Sequence, residues 1–206
     1  PLYLCRTLSV TFYSFGLGQS TGTGFPGESA GILPNYAKWN PINLATMSYG
    51  YGIAVTPLQL AQAYNVFASY GLKRPISMLK QETELEAERV MPERVAKQVI
   101  AMLETVTQRG GTGTRAQVPS YRVAGKTGTV HRTSKQGGYD DDRYAAVFAG
   151  MAPASKPRLV CVVIVDDPKG EQYYGGEVAA PVFSRIMAES LRLLNVAPDN
   201  LLPLQG

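Results

Sequence analysis

The spacing of apolar residues predicts two helices in the first 120 residues of the chain. Thr56 suits the cap of the first helix, Pro57 its first turn and Gln59 a capping box, and Gly71 ends it. A second helical pattern runs from residue 92 to residue 108. The positions expected to face the core are Leu60, Ala63, Tyr64, Phe67 and Ala68 in the first helix and Val95, Val99, Met102, Leu103 and Val106 in the second.

The pattern changes to short strands after a glycine-rich break at residues 110–113. Strands are predicted over residues 121–130, 143–150 and 158–166, with a polar hairpin loop over residues 132–142 between the first two. Because the connections are short, the strands should pair antiparallel. A final helix is predicted from Ala180 to about Leu194, with Val182, Ile186, Ser190 and Leu193 at helical spacing, supported by Phe183, Met187 and Leu194.

This order of elements predicts an α+β fold, in which an antiparallel sheet is flanked by helices. Residues 1–120 should be mostly loop and helix, and residues 121–206 should form a strand meander followed by the final helix. The third strand contains the apolar run from Leu159 to Val165. Such a run is typical of a strand that is covered on both faces and flanked on both sides.

Composition narrows the classes of function. The chain has 206 residues and a formal net charge of +4, and its basic residues form no cluster of the kind that binds nucleic acid or lipid. Its longest apolar run is far shorter than the roughly 20 residues that a membrane helix needs. Two cysteines and one histidine give no metal-ligand spacing, so no metal or cofactor is expected. The chain begins at Pro1 without a signal peptide pattern, which suggests a piece of a longer protein.

Several motif-like stretches have simpler explanations than a ligand site. Gly125-Lys126-Thr127 lacks the glycine five positions earlier that a phosphate-binding loop requires, since that position is Ser120. Residues 22–27 match G-x-G-x-x-G, but Pro26 lies inside them, so they are predicted to be a turn-rich loop. Residues 140–142 are three aspartates, for which a solvated hairpin tip is favoured over a cation site.

The stretch Ser77-Met78-Leu79-Lys80 matches S-x-x-K, in which the lysine takes a proton from a nucleophilic serine. That pair works at the start of a buried helix. Here a proline precedes the stretch and polar residues follow it, so it is predicted to be a short extended segment.

Lys126-Thr127-Gly128-Thr129 on a strand is similar to the third motif of the penicillin-recognising serine transpeptidases and β-lactamases. The chain also resembles, in order, the C-terminal part of class B penicillin-binding proteins, and most closely the septal D,D-transpeptidases of Gram-negative cell division. The resemblance covers roughly residues 15–199. It is carried by FGLGQSTGTGFPGE, SYGYGIAVTPLQLAQAY, RVAGKTGT, FAGMAPASKPRLVCVVIVDDP and YYGGEVAAPVFSRIM.

The resemblance implies that residues 1–206 are the C-terminal part of a single transpeptidase domain with a serine β-lactamase-like fold. It makes Lys126 a catalytic residue that supports proton movement. It makes the Thr127 and Thr129 hydroxyls ligands of the carboxylate of a substrate or β-lactam, and Gly128 the point where the strand lies close to the ligand. It makes Tyr144, Tyr173 and Tyr174 candidate walls of the pocket. The alternative for each of the three is an aromatic residue of the core or of the rim. His131 lies where relatives often carry a basic residue, but a solvent-facing role is favoured.

The implied reaction is peptidoglycan cross-linking by an acyl-serine mechanism on stem peptides ending in D-Ala-D-Ala. The implied partner is a glycosyltransferase of the division machinery, and the implied location is the periplasmic face of the inner membrane.

The chain departs from the family in having no S-x-N stretch, and its S-x-x-K lies too close before Lys126. The nucleophilic serine is therefore expected upstream of Pro1. The alternative is a non-catalytic fragment or binding module of the same fold. In the family the third strand pairs with an upstream strand, and a catalytic helix covers one face of the sheet, so this chain alone should leave that face bare.

Overall fold

The computed structural model describes residues 2–134 and 138–201, apart from the side chain of Asp141. Its helices are α1 (Leu2–Ser14), α2 (Pro41–Met47), α3 (Pro57–Ala68), α4 (Glu93–Thr105), α5 (Gly175–Val178) and α6 (Ala180–Leu193). Its strands are β1 (Leu72–Lys73), β2 (Glu88–Arg89), β3 (Ala124–Thr133), β4 (Tyr139–Ala152) and β5 (Leu159–Asp166). Short 3-10 turns lie at Tyr36–Lys38 and Thr114–Ala116. The predicted α+β class is confirmed.

The three predicted strands form one antiparallel sheet in the order β3–β4–β5. Thr127 of β3 lies opposite Phe148 of β4, which lies opposite Val163 of β5. The hairpin between β3 and β4 is tighter than predicted, since β4 already begins at Tyr139. The prediction that residues 140–142 form a hairpin tip is therefore wrong, because they lie within β4. Residues 135–137 of the predicted loop are outside the described residues.

The predicted start of α3 is confirmed by its capping bonds. Thr56 Oγ1 accepts the backbone N–H of Gln59 at 3.1 Å, and Gln59 Oε1 accepts the backbone N–H of Thr56 at 2.8 Å. The helix ends at Ala68, and Gly71, whose N–H donates to the Val66 carbonyl at 2.7 Å, adopts a φ of +90° in the turn that follows. A Cβ at Gly71 would lie 2.1 Å from the carbonyl oxygen of Met91, so glycine is required there.

The sequence did not predict α1. Its apolar residues lie on several sides of the helix, and Cys5 is its one buried residue. The hydroxyls of Thr7, Thr11 and Ser14 donate to carbonyl oxygens of the preceding turn. Because no single apolar stripe is present, hydrophobic periodicity gives no signal for this helix.

The predicted buried faces of α4 and α6 were wrong in part. In α4 the buried residues are Ala96 and Ile100, whereas Met102 is 61% exposed. In α6 they are Ala180, Phe183, Met187 and Leu191, whereas Ile186 is 47% exposed and Leu193 is exposed too. Packing against the sheet and the neighbouring helices therefore decides which of the apolar residues in each helix are buried.

Helices cover both faces of the sheet. On one face, Phe148 packs against α6 through Phe183, with Met187 and Leu191 in the same core. On the other face, Met151 and Ala124 pack with Ile100 of α4 and with residues of α3. The expectation that the second face would be bare is therefore wrong for the end of the sheet near Met151, whereas Ile164 of β5, on the same face, is 40% exposed. Within the described ranges β5 has no strand partner on the side away from β4.

No helix in the described part of the chain is both long enough and apolar enough to cross a bilayer.

Candidate active site

The four residues from Lys126 to Thr129 lie on β3, so this stretch is a strand rather than a phosphate-binding loop, as predicted. Side chains alternate along a strand, which places Lys126 and Gly128 on the face covered by α3 and α4, and Thr127 and Thr129 on the face of α6. Lys126 is exposed, and its ammonium donates to the Thr127 carbonyl at 2.9 Å and, at 3.4 Å, to the Thr127 hydroxyl. The ammonium and this hydroxyl thus lie side by side.

Two loops fix the hydroxyls of Thr127 and Thr129. Thr112 Oγ1 lies 2.8 Å from Thr127 Oγ1. The backbone N–H of Gly175, at the start of α5, donates to Thr129 Oγ1 at 3.0 Å. Sequence reasoning missed Thr112, because it treated residues 110–113 only as a helix breaker. No local pattern could have paired residues that lie 15 positions apart.

Close backbone contacts explain the glycine pair at the start of α5. A Cβ at Gly175 would lie 2.3 Å from the Val147 carbonyl oxygen and 2.4 Å from that of Gly128. A Cβ at Gly176 would lie 2.1 Å from the carbonyl oxygen of Thr112. Only glycine lets α5 start directly against the sheet and the turn that carries Thr112.

Gly128 has a different environment. A Cβ there would meet Val147 Cβ at 3.5 Å, which is an ordinary contact. Packing within the described part of the chain therefore does not require glycine at this position. The close approach of a ligand to the strand is a separate reason for glycine.

The predicted aromatic residues form one continuous group. The rings of Tyr144 and Tyr173 stack with centroids 4.1 Å apart, and those of Tyr173 and Tyr174 lie 4.5 Å apart. The His131 ring lies 4.6 Å from that of Tyr144, and its Nδ1 is 3.1 Å from the carbonyl oxygen of Asp140. Since His131 lies on the same face of β3 as Thr127 and Thr129, the group extends the hydroxyl pair along the sheet.

An ion-paired carboxylate anchors the loop that carries Tyr173. The backbone N–H of Asp167 donates to the Tyr144 carbonyl at 2.8 Å. Its carboxylate accepts hydrogen bonds from Lys169 at 2.7 Å and from Arg143 at 3.1 Å. These bonds, chiefly the one from Lys169, hold the pKa of Asp167 below its ordinary value. The loop therefore leaves β5 from a position that is tied to the strand of Tyr144.

Tyr51 is a second residue that sequence reasoning missed. Its hydroxyl is 3.5 Å from the backbone N of His131, and its ring meets that of Tyr139 edge to face at 5.1 Å. The loop that carries Tyr51 thus borders β3 on the side away from β4.

The other motif-like stretches lie apart from this arrangement. Ser77 is exposed and donates to the Leu79 carbonyl at 2.7 Å, and Lys80 is exposed as well, so the S-x-x-K stretch is an exposed bend rather than a buried helix. Residues 22–27 form a loop without a preceding strand, as predicted. Among the described residues no group of three or more metal-binding side chains comes together.

Comparisons with known proteins agree with the fold and with the motif on β3. A family model described as the penicillin-binding protein transpeptidase domain matches residues 6–188. The chain is 46% identical over 191 residues to peptidoglycan D,D-transpeptidase FtsI of Escherichia coli strain K12, covering 93% of this chain and 32% of that protein. It is 42% identical over 187 residues to a probable peptidoglycan D,D-transpeptidase PenA of Neisseria gonorrhoeae, covering 91% and 32%.

A solved structure gives the same result. The chain superposes on the apo transpeptidase domain of penicillin-binding protein 3 from Burkholderia pseudomallei with a TM-score of 0.86 and 43% identity. That match covers 92% of this chain and 58% of the solved chain. The chain thus spans about a third of the length of these curated relatives and somewhat more than half of the solved domain.

Proposed function

The chain belongs to the family of penicillin-binding protein transpeptidase domains, and we propose that it is the C-terminal part of a single such domain in a septal peptidoglycan D,D-transpeptidase. The observation that carries the proposal is the strand of Lys126, Thr127, Gly128 and Thr129, whose two hydroxyls are oriented by separate loops. The names of the curated relatives support the reaction class.

Each residue of the motif then has a chemical task. The Thr127 and Thr129 hydroxyls donate to the carboxylate of a stem peptide that ends in D-Ala-D-Ala, or of a β-lactam. The free edge of β3, which a ligand can approach closely because Gly128 has no side chain, pairs with the amide of the ligand. The Lys126 ammonium stabilises developing negative charge and supports proton movement at the reacting hydroxyl. Beyond Thr129, the wall of the pocket is formed by Tyr144, Tyr173 and Tyr174.

The nucleophile comes from a serine outside the 206 residues. Its oxygen forms an ester with the carbonyl of the penultimate D-Ala, the peptide bond breaks, and the leaving D-Ala amine takes up a proton. An amine of a neighbouring stem peptide then attacks the ester, which re-forms the serine hydroxyl and completes the cross-link. We place this reaction at the periplasmic face of the inner membrane, beside a glycosyltransferase of the division machinery.

A second candidate function is a non-catalytic fragment or binding module of the same fold. It is favoured by the absence of an S-x-N stretch in the sequence and by the exposed, bent conformation of Ser77 to Lys80. Intact mass measurement after incubation with a labelled penicillin separates the two candidates. Residues 1–206 alone should form no adduct, whereas the same residues in the longer protein should form one. An adduct on Ser77 would overturn this assignment of the nucleophile.

Lys126→Ala in the longer protein tests the role of the lysine. Because the side chain is exposed, its removal should leave thermal unfolding unchanged. Loss of a charge at the reacting centre should slow acylation by about a hundredfold or more. Lys80→Ala, which removes another exposed lysine, is the matched control and should acylate normally. Near-normal acylation by the Lys126 variant would contradict a catalytic role.

A further inference from the structure

The turn at residues 110–113 places Thr112 next to β3. Gly110 has a φ of +88°, and the backbone N–H of Gly113 donates to the Val106 carbonyl at the end of α4 at 2.9 Å. A Cβ at Gly111 would lie 2.1 Å from the Val106 carbonyl oxygen, and one at Gly113 would lie 2.9 Å from the Phe148 ring. The turn therefore needs its glycines in order to sit between α4 and the sheet.

The other side of the turn is fixed to α5. The guanidinium of Arg115 forms an ion pair with Glu177 of α5 at 2.7 Å. The backbone of Thr112 lies against Gly176, where any Cβ would collide with the Thr112 carbonyl. The place of Thr112 is thus set by backbone contacts and an ion pair, and not by its own side chain. Its hydroxyl is free to serve another purpose.

The hydrogen-bonding capacity of Thr127 shows what that purpose is. A hydroxyl has one hydrogen to donate and two lone pairs that accept. Thr127 Oγ1 accepts from the Lys126 ammonium at 3.4 Å and lies 2.8 Å from Thr112 Oγ1. When Thr112 donates, both lone pairs of Thr127 are used, and its hydrogen is left to point at a ligand. An anionic ligand selects this arrangement, because only a donated hydrogen attracts a carboxylate.

Thr129 is prepared in the same way by a different donor. Its oxygen accepts the Gly175 N–H, so its hydrogen is also available. We infer that Thr112 is a positioning residue, which holds the Thr127 hydroxyl as a donor toward the ligand carboxylate in parallel with Thr129. This inference rests on the proposed function, because it concerns how the same site recognises its anionic ligand.

The test is the concentration dependence of acylation in the intact, longer protein, with benzylpenicillin and with its carboxylate methyl ester. Thr112→Val keeps the shape of the side chain and removes the hydroxyl. Its affinity for benzylpenicillin should fall about three- to tenfold, the range expected for one neutral hydrogen bond. The reaction with the ester should not change, because the ester has no carboxylate for Thr127 to hold. Thr112→Ser should restore the wild-type affinity.

Two further variants separate positioning from a structural effect. Thr114→Val, two residues away, alters an exposed side chain that makes no hydrogen bond within the described residues, and it should behave as wild type. In a Thr127→Val background, Thr112→Val should cause no additional loss, since the pair acts as a unit. Equal losses for penicillin and ester, or unchanged affinity for both, would overturn the inference while leaving the proposed function intact. Failure of the unaltered longer protein to acylate would overturn the proposed function and this inference with it.

Discussion

Replacement of Gly175 by alanine tests whether α5 really starts against the sheet. The new Cβ would lie 2.3 Å from the Val147 carbonyl oxygen and 2.4 Å from that of Gly128. Non-bonded heavy atoms settle at about 3.5 Å, so the start of α5 has to move away from the strands by on the order of 1 Å. Both contacts are with backbone atoms of paired strands, which cannot rotate aside as a side chain would.

Two terms make up the expected loss of stability. Forcing an extra methyl into a well-packed contact costs about 1–3 kcal/mol. The displacement also breaks the bond from the Gly175 N–H to Thr129 Oγ1, which contributes about 1 kcal/mol. We therefore expect the free energy of unfolding of the intact protein to fall by roughly 2–4 kcal/mol. Affinity for penicillin should fall as well, because the Thr129 hydroxyl loses the donor that orients it.

The assay is unfolding in denaturant, with Gly170→Ala as the matched control. Gly170 lies in the same loop, five residues earlier, and a Cβ there would meet no atom within 4 Å. Its substitution should change the unfolding free energy by no more than about 0.5 kcal/mol. If both alanine variants unfolded at the same denaturant concentration as the wild type, the close approach of α5 to β3 and β4 would be refuted.

Two other predictions concern the core and the sheet edge. Phe183→Ala should lower the unfolding free energy by about 3–5 kcal/mol, because Phe183 is 0% exposed and packs on Phe148. Ile186→Ala should lower it clearly less, because Ile186 is half exposed. A larger loss of unfolding free energy for Ile186→Ala than for Phe183→Ala would show that the buried face of α6 is the one predicted from the sequence. Residues 1–206 expressed alone should associate or pack loosely, because the edge of β5 away from β4 is apolar and has no strand partner in the described part of the chain. A sharp monomer peak in size-exclusion chromatography, with cooperative melting, would contradict this.

The sequence predicted those parts of the fold whose causes are local. The start of α3 follows from Thr56, Pro57 and Gln59 acting within one turn, and the structure contains the bonds that they were expected to make. The three strands and their antiparallel order follow from short connections between apolar runs. In both cases the determining interactions join residues that are neighbours along the chain.

The errors arose where partners distant in sequence decide the outcome. The buried face of α6 is set by Phe148 of β4, which selects Phe183 rather than Ile186. The same limit applies to the candidate site. Lys126 to Thr129 were found as a motif, but Thr112 became visible only when the fold brought it within 2.8 Å of Thr127.

The alternation of side chains along β3 restricts how the site can be completed. The Lys126 side chain leaves the strand on the face of α3 and α4, and the threonine hydroxyls lie on the face of α6. A ligand that touches both therefore has to lie along the edge of β3 away from β4, where the ammonium reaches the Thr127 hydroxyl. A nucleophile that exchanges a proton with Lys126 has to approach from the α3 and α4 side of this edge. Ser77 of the S-x-x-K stretch is exposed, and its hydroxyl donates to the Leu79 carbonyl of its own loop. We therefore expect a nucleophile that exchanges a proton with Lys126 to come from polypeptide other than that stretch.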